Sequence, residues 1–506
     1  MKKFLRMYLK LSEIRVTHSG LLSLLFGIFT IPTSLIFMLI VTRSLSTSDF
    51  GLYTLIGGIL VYATIIEPII NYWATREVAR DIPSGSSTVF FGGLFSLFGV
   101  MIYLVVASFI NKNIDTSNDV LLFGVMIIPP LFLNRMLSAI NTGFKPHIPI
   151  IAGFIFSLSN LTLTAFFTFY QKLDVWILIE ILSISYVFSI LILGYFAKEK
   201  LRDKININFI RKWIKLSWIP LFSSLGYFLL MMDISIFSLL TGSVIGLAFW
   251  GVALSISKIN ESSGYVTRAI YAKILQGKSK ELGDATNLLF YFVILFSSII
   301  LVFGKSALFL LHPQYEIAYM ILGILTIQTA FWVFSGHFQN SITSFEKIDL
   351  ESRSNWKDYF HSKLVRVPSI ILFQSISYLI ILSTGIIIMK DTHEFLDILH
   401  FWAITLLLTH IPFAFYFYRL LQKNIEFKLN YSGILKYLLS SVISFGITYI
   451  LINKFLIYES NPFIFGPQII MFTAFGISFY VGLTYIFDSK IRNLIYNIIK
   501  EFKNKR

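Results

Sequence analysis

Several acidic side chains fall within long apolar runs of the sequence, and three of them are candidates for function: Glu67, Asp233 and Glu261. A carboxylate in an apolar setting is costly, and it is usually retained because it binds an ion, exchanges a proton or pairs with a cation. Asp233 is the leading candidate for binding H⁺ or Na⁺, and Glu67 and Glu261 are further candidates for ion coupling or gating. A salt bridge between helices, or a shallow and hydrated position, would also account for Asp233.

Four basic side chains have positions that suit an anionic ligand: Arg76, Arg135, Lys258 and Arg268. Arginine presents a planar fork of N–H donors that matches the oxygens of a phosphate group. Arg76 and Arg268 each follow a threonine at the end of an apolar run, so both are candidates for receiving phosphate at equivalent points. Two simpler interpretations stay open: Arg76 and Arg268 are anchors at a membrane surface, and Lys258 pairs with Glu261, three residues further along a helix.

Prolines interrupt two of the apolar runs, at Pro68 and at Pro129 and Pro130. Proline removes a backbone N–H donor and breaks a helix, and unwound backbone inside a membrane is tolerated only within protein or beside water. These positions are therefore candidate hinges beside a cavity, or else packing kinks. His337 and His410 also lie in apolar runs, where each is either a further ion-coupling group or a hydrogen-bonded contact between helices.

The composition places all of these residues in a membrane protein. Hydrophobic residues make up 56% of the chain and charged residues 14%, with a mean hydropathy of +0.75, whereas soluble domains have roughly 45–50% and 25%. The chain has no Cys, which excludes disulfides, thiol nucleophiles and thiolate metal sites. It also lacks a Walker A pattern, a Rossmann glycine fingerprint and a His-Glu-x-x-His motif, so we expect no cofactor, no metal site and no catalytic residues.

Apolar runs long enough to cross a membrane occur throughout the chain. A span needs about 20 apolar residues, and the sequence supplies about 14 such runs, which predicts an all-α polytopic membrane protein. The runs lie near 18–42, 50–72, 88–110, 118–141, 147–170, 175–197, 216–240, 243–267, 286–311, 317–341, 365–389, 395–418, 432–456 and 463–487. The short loops between them leave no room for a soluble catalytic domain.

Lys and Arg are distributed unevenly about these predicted spans. With the N-terminus inside, the cytoplasmic segments carry 34 of them and the outer segments 6. Because cytoplasmic loops retain basic residues, both termini are predicted to lie on the cytoplasmic side of a cell membrane. The net charge of +15 is thereby explained by topology, with attraction to anionic lipid as a by-product, and requires no nucleic-acid partner.

A short motif in a polar turn occurs twice in the chain, at a constant offset of 195 residues. The matching pairs are Leu45 with Leu240, Ser48 with Ser243, Gly51 with Gly246, and Leu52 with Leu247. We expect Ser48 and Ser243 to cap the helices that follow, and Gly51 and Gly246 to let helices approach closely. Direct contact with a substrate is the other interpretation of this turn.

The duplication predicts two lobes, each of six helices. An even number of spans per copy keeps the copies parallel, about an axis along the membrane normal. The predicted parts are a basic amphipathic segment at 1–17, an N-lobe at 18–197, a basic cytoplasmic linker at 198–215, a C-lobe at 216–419, an appended helix pair at 432–487 and a basic cytoplasmic tail at 488–506. The segment at 1–17 is predicted to be a helix in the membrane interface or an ordinary basic flank.

Segments in the regions 1–80 and 216–270 resemble one family of membrane proteins. They are Arg43-Ser-Leu with Asp49-Phe-Gly-Leu-Tyr53, Arg76-Glu-Val-Ala-Arg80, and Met232-Asp-Ile followed by the Gly242 to Leu247 turn. These segments are similar to the polysaccharide-transporter branch of the MOP (multidrug/oligosaccharidyl-lipid/polysaccharide) superfamily, and the chain resembles a Wzx-type flippase of lipid-linked oligosaccharides. The resemblance implies a V-shaped bundle of two lobes around a central cavity, alternating access, and a sugar carried on a polyprenyl pyrophosphate.

Three functions are open on these grounds. A flippase would move the lipid-linked oligosaccharide from the cytoplasmic to the outer leaflet for surface polysaccharide or glycan assembly. Its partners would be membrane lipids, H⁺ or Na⁺ as coupling ion, and polysaccharide-assembly enzymes. An ion-coupled exporter of organic cations, from the same superfamily, would favour acidic groups. A membrane glycosyltransferase or polymerase usually has a large outer loop, whereas the outer loops here are short, so we expect a flippase that is not an enzyme.

Overall fold

The computed structural model describes residues 26–27, 29–114, 119–264, 280–344, 362–424, 429–493 and 496. Every regular element within these ranges is a helix, which confirms the predicted all-α class. The predicted segment at 1–17, most of the tail at 488–506, and Arg268 lie outside the described residues.

The helices are numbered α1 to α18 along the chain. They are α1 (Phe29–Ser44), α2 (Thr47–Ala63), α3 (Pro68–Ala79), α4 (Gly85–Asn111), α5 (Val120–Phe123), α6 (Ile128–Phe144), α7 (Ile148–Tyr170), α8 (Val175–Ala197), α9 (Ile207–Lys215), α10 (Trp218–Leu230), α11 (Asp233–Thr241), α12 (Ile245–Ser257), α13 (Lys280–Leu311), α14 (Tyr319–Ser344), α15 (Lys363–Met389), α16 (Phe395–Asn424), α17 (Tyr431–Phe455) and α18 (Pro462–Phe487). Short 3₁₀ turns adjoin four of them, at Thr64–Ile66, Gly124–Ile127, Lys258–Ser263 and Pro313–Ala318.

The chain is a multi-pass membrane protein by the length and apolarity of its helices. In the described ranges 11 helical segments could cross a membrane, or up to 12 if α9 and α10, which are bent by 60°, count as one span. Helix occurs at each of the 14 predicted runs wherever these are described. Three runs have no complete candidate span here: α1 is short, the run at 216–240 is divided into α10 and α11, and the run at 243–267 is described only as far as residue 264. In the run at 50–72 the candidate span ends at Ile66, before α3 begins.

The first copy of the repeated motif packs directly on the turn that contains the second copy. A Cβ atom at Gly51 would collide with the backbone carbonyl of Val244, and one at Gly58 would lie 2.8 Å from Cγ2 of Ile234. The predicted close approach is therefore confirmed for Gly51. The second turn itself begins where α11 ends, because Gly242 adopts a left-handed conformation with φ of 68°, which glycine adopts without a Cβ clash.

The helix caps agree with the prediction in one copy only. Ser46, not Ser48, caps α2: its hydroxyl accepts the Asp49 N–H at 3.1 Å and donates to the Asp49 carboxylate at 2.6 Å. The predicted cap at Ser48 is wrong by two residues, because several hydroxyl residues precede α2 and Ser46 is the one with extended backbone. In the second copy the Ser243 hydroxyl does accept the N–H of Ile245, where α12 begins.

Helices of the chain cluster into two compact units, Met1–Gly251 with Glu346–Thr409 and Val252–Phe345 with His410–Arg506. In the first unit, α6 packs on α3, α4 and α8, and α10 packs on α15. In the second unit, α13 packs on α14, α17 and α18. The aromatic core of the second unit includes Tyr291, Tyr437, Phe445, Phe465 and Tyr480. The predicted six-helix lobes and appended pair stay predictions.

Alanine at Gly51 tests the close packing of the repeated turns. Gly51→Ala should destabilise the protein by about 1–3 kcal/mol, because the added methyl group meets backbone that cannot swing away. Gly57→Ala in the same helix is the matched control, since a Cβ there meets nothing within 4 Å and alanine has the higher helix propensity. Unfolding in detergent micelles measures both, and equal midpoints for the two variants would contradict the packing.

Candidate functional site

A break between α2 and α3 positions the acidic side chain Glu67. Pro68 begins α3 and has no N–H to donate to the carbonyl of Thr64, four residues earlier. The Glu67 N–H donates to that carbonyl instead, at 3.0 Å, which produces the 3₁₀ turn. Glu67 thus follows a turn in the middle of an apolar segment and is only 7% exposed.

Glu67 forms an ion pair with Arg135. The Nη1 atom of Arg135 lies 2.8 Å from Oε2 of Glu67, and the side-chain amide of Asn71, one turn further along α3, donates to Oε1. The Arg135 side chain is 48% exposed whereas that of Glu67 is 9% exposed. The sequence identified both charged residues as candidates, but it did not predict that they would form an ion pair with each other.

Prolines explain the start of α6, the helix that carries Arg135. Pro129 and Pro130 occupy its first turn, after the 3₁₀ turn at Gly124–Ile127. Pro129 has no N–H for the carbonyl of Val125, which accepts the N–H of Ile128 instead. The interruption of the helix therefore lies on the N-terminal side of the two prolines. Their role as a hinge stays a prediction.

Hydrogen bonds hold α6 to its neighbours on both sides of Arg135. Asn134 donates to the hydroxyl of Ser189 at 2.6 Å, and Asn141 donates to the carbonyl of Leu193 at 3.0 Å, both on α8. On the other side, the hydroxyl of Thr75 on α3 donates to the carbonyl of Ala139 at 3.2 Å. These bonds fix the backbone that presents the guanidinium group, which is what a precise binding group requires.

The second copy of the repeat has an equivalent break, in which a neutral side chain bonds to the neighbouring helix. The 3₁₀ turn Lys258–Ser263 follows α12, and the offset of 195 residues maps Thr64–Ile66 of the first copy into it. Buried Asn260 in this turn donates to the carbonyl of Thr326 at 3.0 Å and to the hydroxyl of Thr329 at 3.2 Å, both on α14. A neutral contact thus takes the place of the ion pair.

Lys258 and Glu261 lie on the same 3₁₀ turn, and both are exposed. Neither residue takes part in the bonds of Asn260 to α14. Sequence analysis missed Asn260 because an amide in an apolar run gave less signal than its charged neighbours. The fixed offset was the signal available, since it aligns Asn260 with Ile65, in the 3₁₀ turn two residues before Glu67.

Asp233, the leading acidic candidate, is buried in a cluster of hydrogen-bond donors. It begins α11 after a two-residue link from α10. Its Oδ2 accepts the hydroxyl of Tyr378 at 2.8 Å and the indole N–H of Trp402 at 3.2 Å, and its Oδ1 accepts the N–H of Ile234 at 2.8 Å. Indole and backbone N–H groups only donate, so the N–H groups of Trp402 and Ile234 stabilise a carboxylate and supply no oxygen ligand for a cation.

Trp402 connects this cluster to the aromatic packing around it. Its ring stacks on that of Trp250 with centroids 3.7 Å apart, and on Phe237 with centroids 5.0 Å apart. The indole N–H also lies 2.7 Å from the hydroxyl of Tyr378. Sequence analysis missed Tyr378 and Trp402, because no spacing rule connects α11 with helices that are more than a hundred residues away.

A third buried carboxylate, Glu77, lies next to the predicted phosphate anchor Arg76 on α3. Its Oε1 accepts Nζ of Lys212 at 2.7 Å, and its Oε2 accepts the indole N–H of Trp213 at 3.2 Å. Arg76 itself lies over the ring of Tyr72, 4.3 Å from the centroid. The predicted linker therefore contains a helix, α9, that is fastened to α3 through Glu77.

Both predicted intramembrane histidines contact neighbouring helices of the second unit. Nε2 of His337 on α14 lies 3.0 Å from the hydroxyl of Thr286 on α13. The ring of buried His410 on α16 lies 5.3 Å from the ring of Trp332 on α14. The contact of His337 is the hydrogen bond of the simpler interpretation, whereas that of His410 is between two rings, and ion coupling by either residue stays a prediction. Across the described ranges, no group of three or more His, Asp or Glu side chains could hold a metal ion.

Comparisons by sequence and by structure give different results. No protein family model and no curated protein matches the chain. Solved structures do match it. An inward-facing multidrug resistance MATE family transporter of the MOP superfamily has a TM-score of 0.55 at 12% identity, covering 80% of this chain and 98% of its own. An outward-facing transporter of the same description has a TM-score of 0.54 at 14% identity, covering 81% and 96%.

A lipid transporter matches over more of the chain. The lipid II flippase MurJ, in an inward closed conformation, has a TM-score of 0.55 at 15% identity and covers 93% of this chain and 99% of its own. At such low identities the likeness establishes the fold alone. The chain therefore has the fold of MOP superfamily transporters.

Single neutral substitutions test the asymmetry of the ion pair. Arg135→Gln should destabilise the protein by about 3–5 kcal/mol, because it leaves a buried carboxylate without its cation. Glu67→Gln should cost about 1 kcal/mol or less, because the Arg135 side chain is 48% exposed and a charge outside the packed interior loses less when its partner is removed.

The double variant with both glutamines is the control for this comparison. It should be more stable than Arg135→Gln alone, since no unpaired charge remains in it. Denaturation in mixed micelles gives all three values. Equal losses for the two single variants would contradict the structural difference between the partners.

Proposed function

We propose that this protein is a transporter that moves a polyprenyl-pyrophosphate-linked oligosaccharide from the cytoplasmic to the outer leaflet by alternating access. The observation that carries the proposal is Arg135, a half-exposed arginine within a membrane span, whose orientation is set by buried Glu67. The shared fold supports transport in general, and the substrate rests on the chemistry of Arg135 together with the sequence resemblance.

The guanidinium group of Arg135 suits pyrophosphate in both geometry and charge. Glu67 is its one ion-pair partner among the described residues and engages Nη1, so donors of the planar fork remain for phosphate oxygens. The ion pair also lowers the cost of keeping an arginine at this depth when no substrate is bound. Substrate would bind by adding to this pair or by replacing Glu67 at the guanidinium group.

The other predicted basic groups would then guide the anionic head group along its path. Arg76 lies over the ring of Tyr72 and Lys258 is exposed, and a passing phosphate would contact both side chains. In the second repeat, Arg268 would have the role that Arg76 has in the first. The polyprenyl tail would stay in the bilayer, and the cavity would need polar lining without catalytic residues, so the protein is not an enzyme.

An ion gradient, the membrane potential or a substrate gradient made by enzymes on either side would drive the cycle, since the sequence contains no nucleotide-hydrolysis motif. Asp233 is the first candidate for coupling to H⁺, because its buried carboxylate joins α11 to α15 and α16 through Tyr378 and Trp402. Protonation would weaken both bonds, because a neutral carboxyl group accepts less strongly than a carboxylate. Glu67, Glu261, His337 and His410 are secondary candidates, and Na⁺ is the alternative ion.

Export of small organic cations is the second candidate function. Two buried carboxylates, Glu67 and Asp233, favour it, as does the fold shared with MATE transporters. The ion pair weighs against it, because Glu67 already has a cation beside it in Arg135. In either function we place the protein in the cell membrane with both termini cytoplasmic, and polysaccharide-assembly enzymes would be partners only of the flippase.

A vesicle assay distinguishes the two functions. Purified protein is reconstituted with a fluorescent short-chain polyprenyl-pyrophosphate oligosaccharide, and a membrane-impermeant glycosidase is added outside under an imposed pH or Na⁺ gradient. Wild type should expose the inner pool of lipid. Arg135→Gln should slow exposure by roughly 10–100-fold, since hydrogen bonds to charged groups contribute roughly 1.5–3 kcal/mol.

Two further variants control the assay. Arg135→Lys keeps the charge but loses the planar fork, so an intermediate rate is expected. Lys112→Gln removes an exposed charge in a loop and should leave the rate unchanged. Exposure at the wild-type rate in Arg135→Gln would refute the anchor, and efflux of an organic cation without any lipid exposure would favour the exporter.

A further inference from the structure

The helix α9 within the predicted linker has three faces of different chemistry. With about 100° between successive residues, Ile207 and Ile214 lie on one edge, and Arg211 and Lys215 lie on the adjacent edge. Ile210 and Trp213 form the remaining face. Ile207 is 56% exposed and Ile214 is 55% exposed, whereas Ile210 is 8% exposed and Trp213 is fully buried.

Contacts with α3 and α4 fix the rotation of α9 about its own axis. Trp213 and Lys212 both donate to the carboxylate of Glu77. Just before the helix, the N–H of Asn206 donates to the hydroxyl of Ser87 at 2.9 Å. Because these bonds hold α9 against α3 and α4, the isoleucine edge and the basic edge are the surfaces that remain exposed.

The segment before α9 is held to the same corner of the bundle. Lys200 forms an ion pair with Asp81 at 2.8 Å, and its hydrogen bond and charge hold the pKa of Asp81 below the usual value of an aspartate. The hydroxyl of Ser86 donates to the carbonyl of Leu201 at 2.8 Å. Further exposed residues of the segment, Arg202, Lys204 and Ile205, continue the mixture of basic and apolar side chains.

The direction of α9 places these edges near a bilayer surface. Its axis is bent by 60° from that of α10, and α10 begins three residues after α9 ends with the apolar sequence Trp218-Ile-Pro-Leu-Phe. If α10 runs along the membrane normal, α9 lies closer to the membrane plane than to the normal. A helix in that position with an isoleucine edge beside a basic edge has the pattern of an interfacial helix.

We propose that α9 binds anionic phospholipids of the leaflet on its own side of the membrane. Ile207 and Ile214 would enter the boundary between head groups and acyl chains, while Arg211 and Lys215 contact the phosphate groups. A soluble acidic protein would match the basic edge but not the isoleucine edge beside it. Lys212 is not part of this lipid surface, because it is engaged with Glu77.

Spin labelling tests the proposal on the full-length protein, whose sequence has no Cys. Ile214→Cys carries a nitroxide label, and the variant is reconstituted in phosphatidylcholine vesicles with or without phosphatidylglycerol. The depth of the label is measured by its collisions with oxygen and with a water-soluble nickel chelate. We expect the label to lie deeper when phosphatidylglycerol is present, and the shift to disappear at about 1 M salt, where charges are screened.

Two double variants distinguish the effect of the basic edge of α9 from a general effect of removing charge from the protein. Each basic residue near an anionic surface strengthens binding roughly fivefold, so Arg211→Gln with Lys215→Gln should weaken it roughly 30-fold and abolish the depth shift. Lys112→Gln with Lys390→Gln removes two exposed charges elsewhere and should keep the shift. A label that is equally deep without phosphatidylglycerol, equally exposed to water in both vesicles, or unaffected by the Arg211 and Lys215 substitutions would overturn the proposal.

Discussion

The ion pair between Glu67 and Arg135 is the interaction on which this account depends. A carboxylate that is 7% exposed inside an apolar bundle needs a cation or several hydrogen bonds, because no water is available to replace them. Arg135 and Asn71 supply both. The ion pair also holds two parts of the backbone together, because Glu67 follows the break after α2 and Arg135 lies on α6, the helix that begins with Pro129 and Pro130.

Helix breaks are therefore connected to a neighbouring helix in both repeats, but by different chemistry. In the first repeat the contact is ionic and one partner is half exposed. In the second, Asn260 makes a buried neutral contact with Thr326 and Thr329. A neutral buried contact is suited to holding two helices together, whereas an exposed guanidinium group can exchange partners. The two contacts thus differ in chemistry and lie two residues apart at the offset of 195, and we propose the first as the place for an anionic ligand.

Sequence patterns predicted the features that depend on composition and local rules. Apolar run lengths predicted the helices, and the charge of Glu67, Arg135 and Asp233 in such runs was visible at once. The offset of 195 residues identified two turns, of which the first packs on the second through Gly51. The helix α9 could have been predicted as well, because Ile207, Ile210 and Ile214 recur at helical spacing within the linker.

Other features depend on tertiary contacts that no local rule contains. Tyr378 and Trp402 surround Asp233, yet each is an ordinary aromatic residue in a chain with many of them. Glu77 had no signal beyond its charge at the end of a span, and its partners Lys212 and Trp213 come from the linker. The cap at Ser46 instead of Ser48 shows the same limit at short range, because the choice among neighbouring hydroxyl residues depends on which of them has extended backbone.

A structure determined with a polyprenyl pyrophosphate bound would test the central claim most directly. We expect the pyrophosphate within hydrogen-bonding distance of the Arg135 guanidinium group, with Glu67 sharing that group or displaced from it. Pyrophosphate bound elsewhere in the protein, with the pair between Arg135 and Glu67 unchanged, would contradict the account.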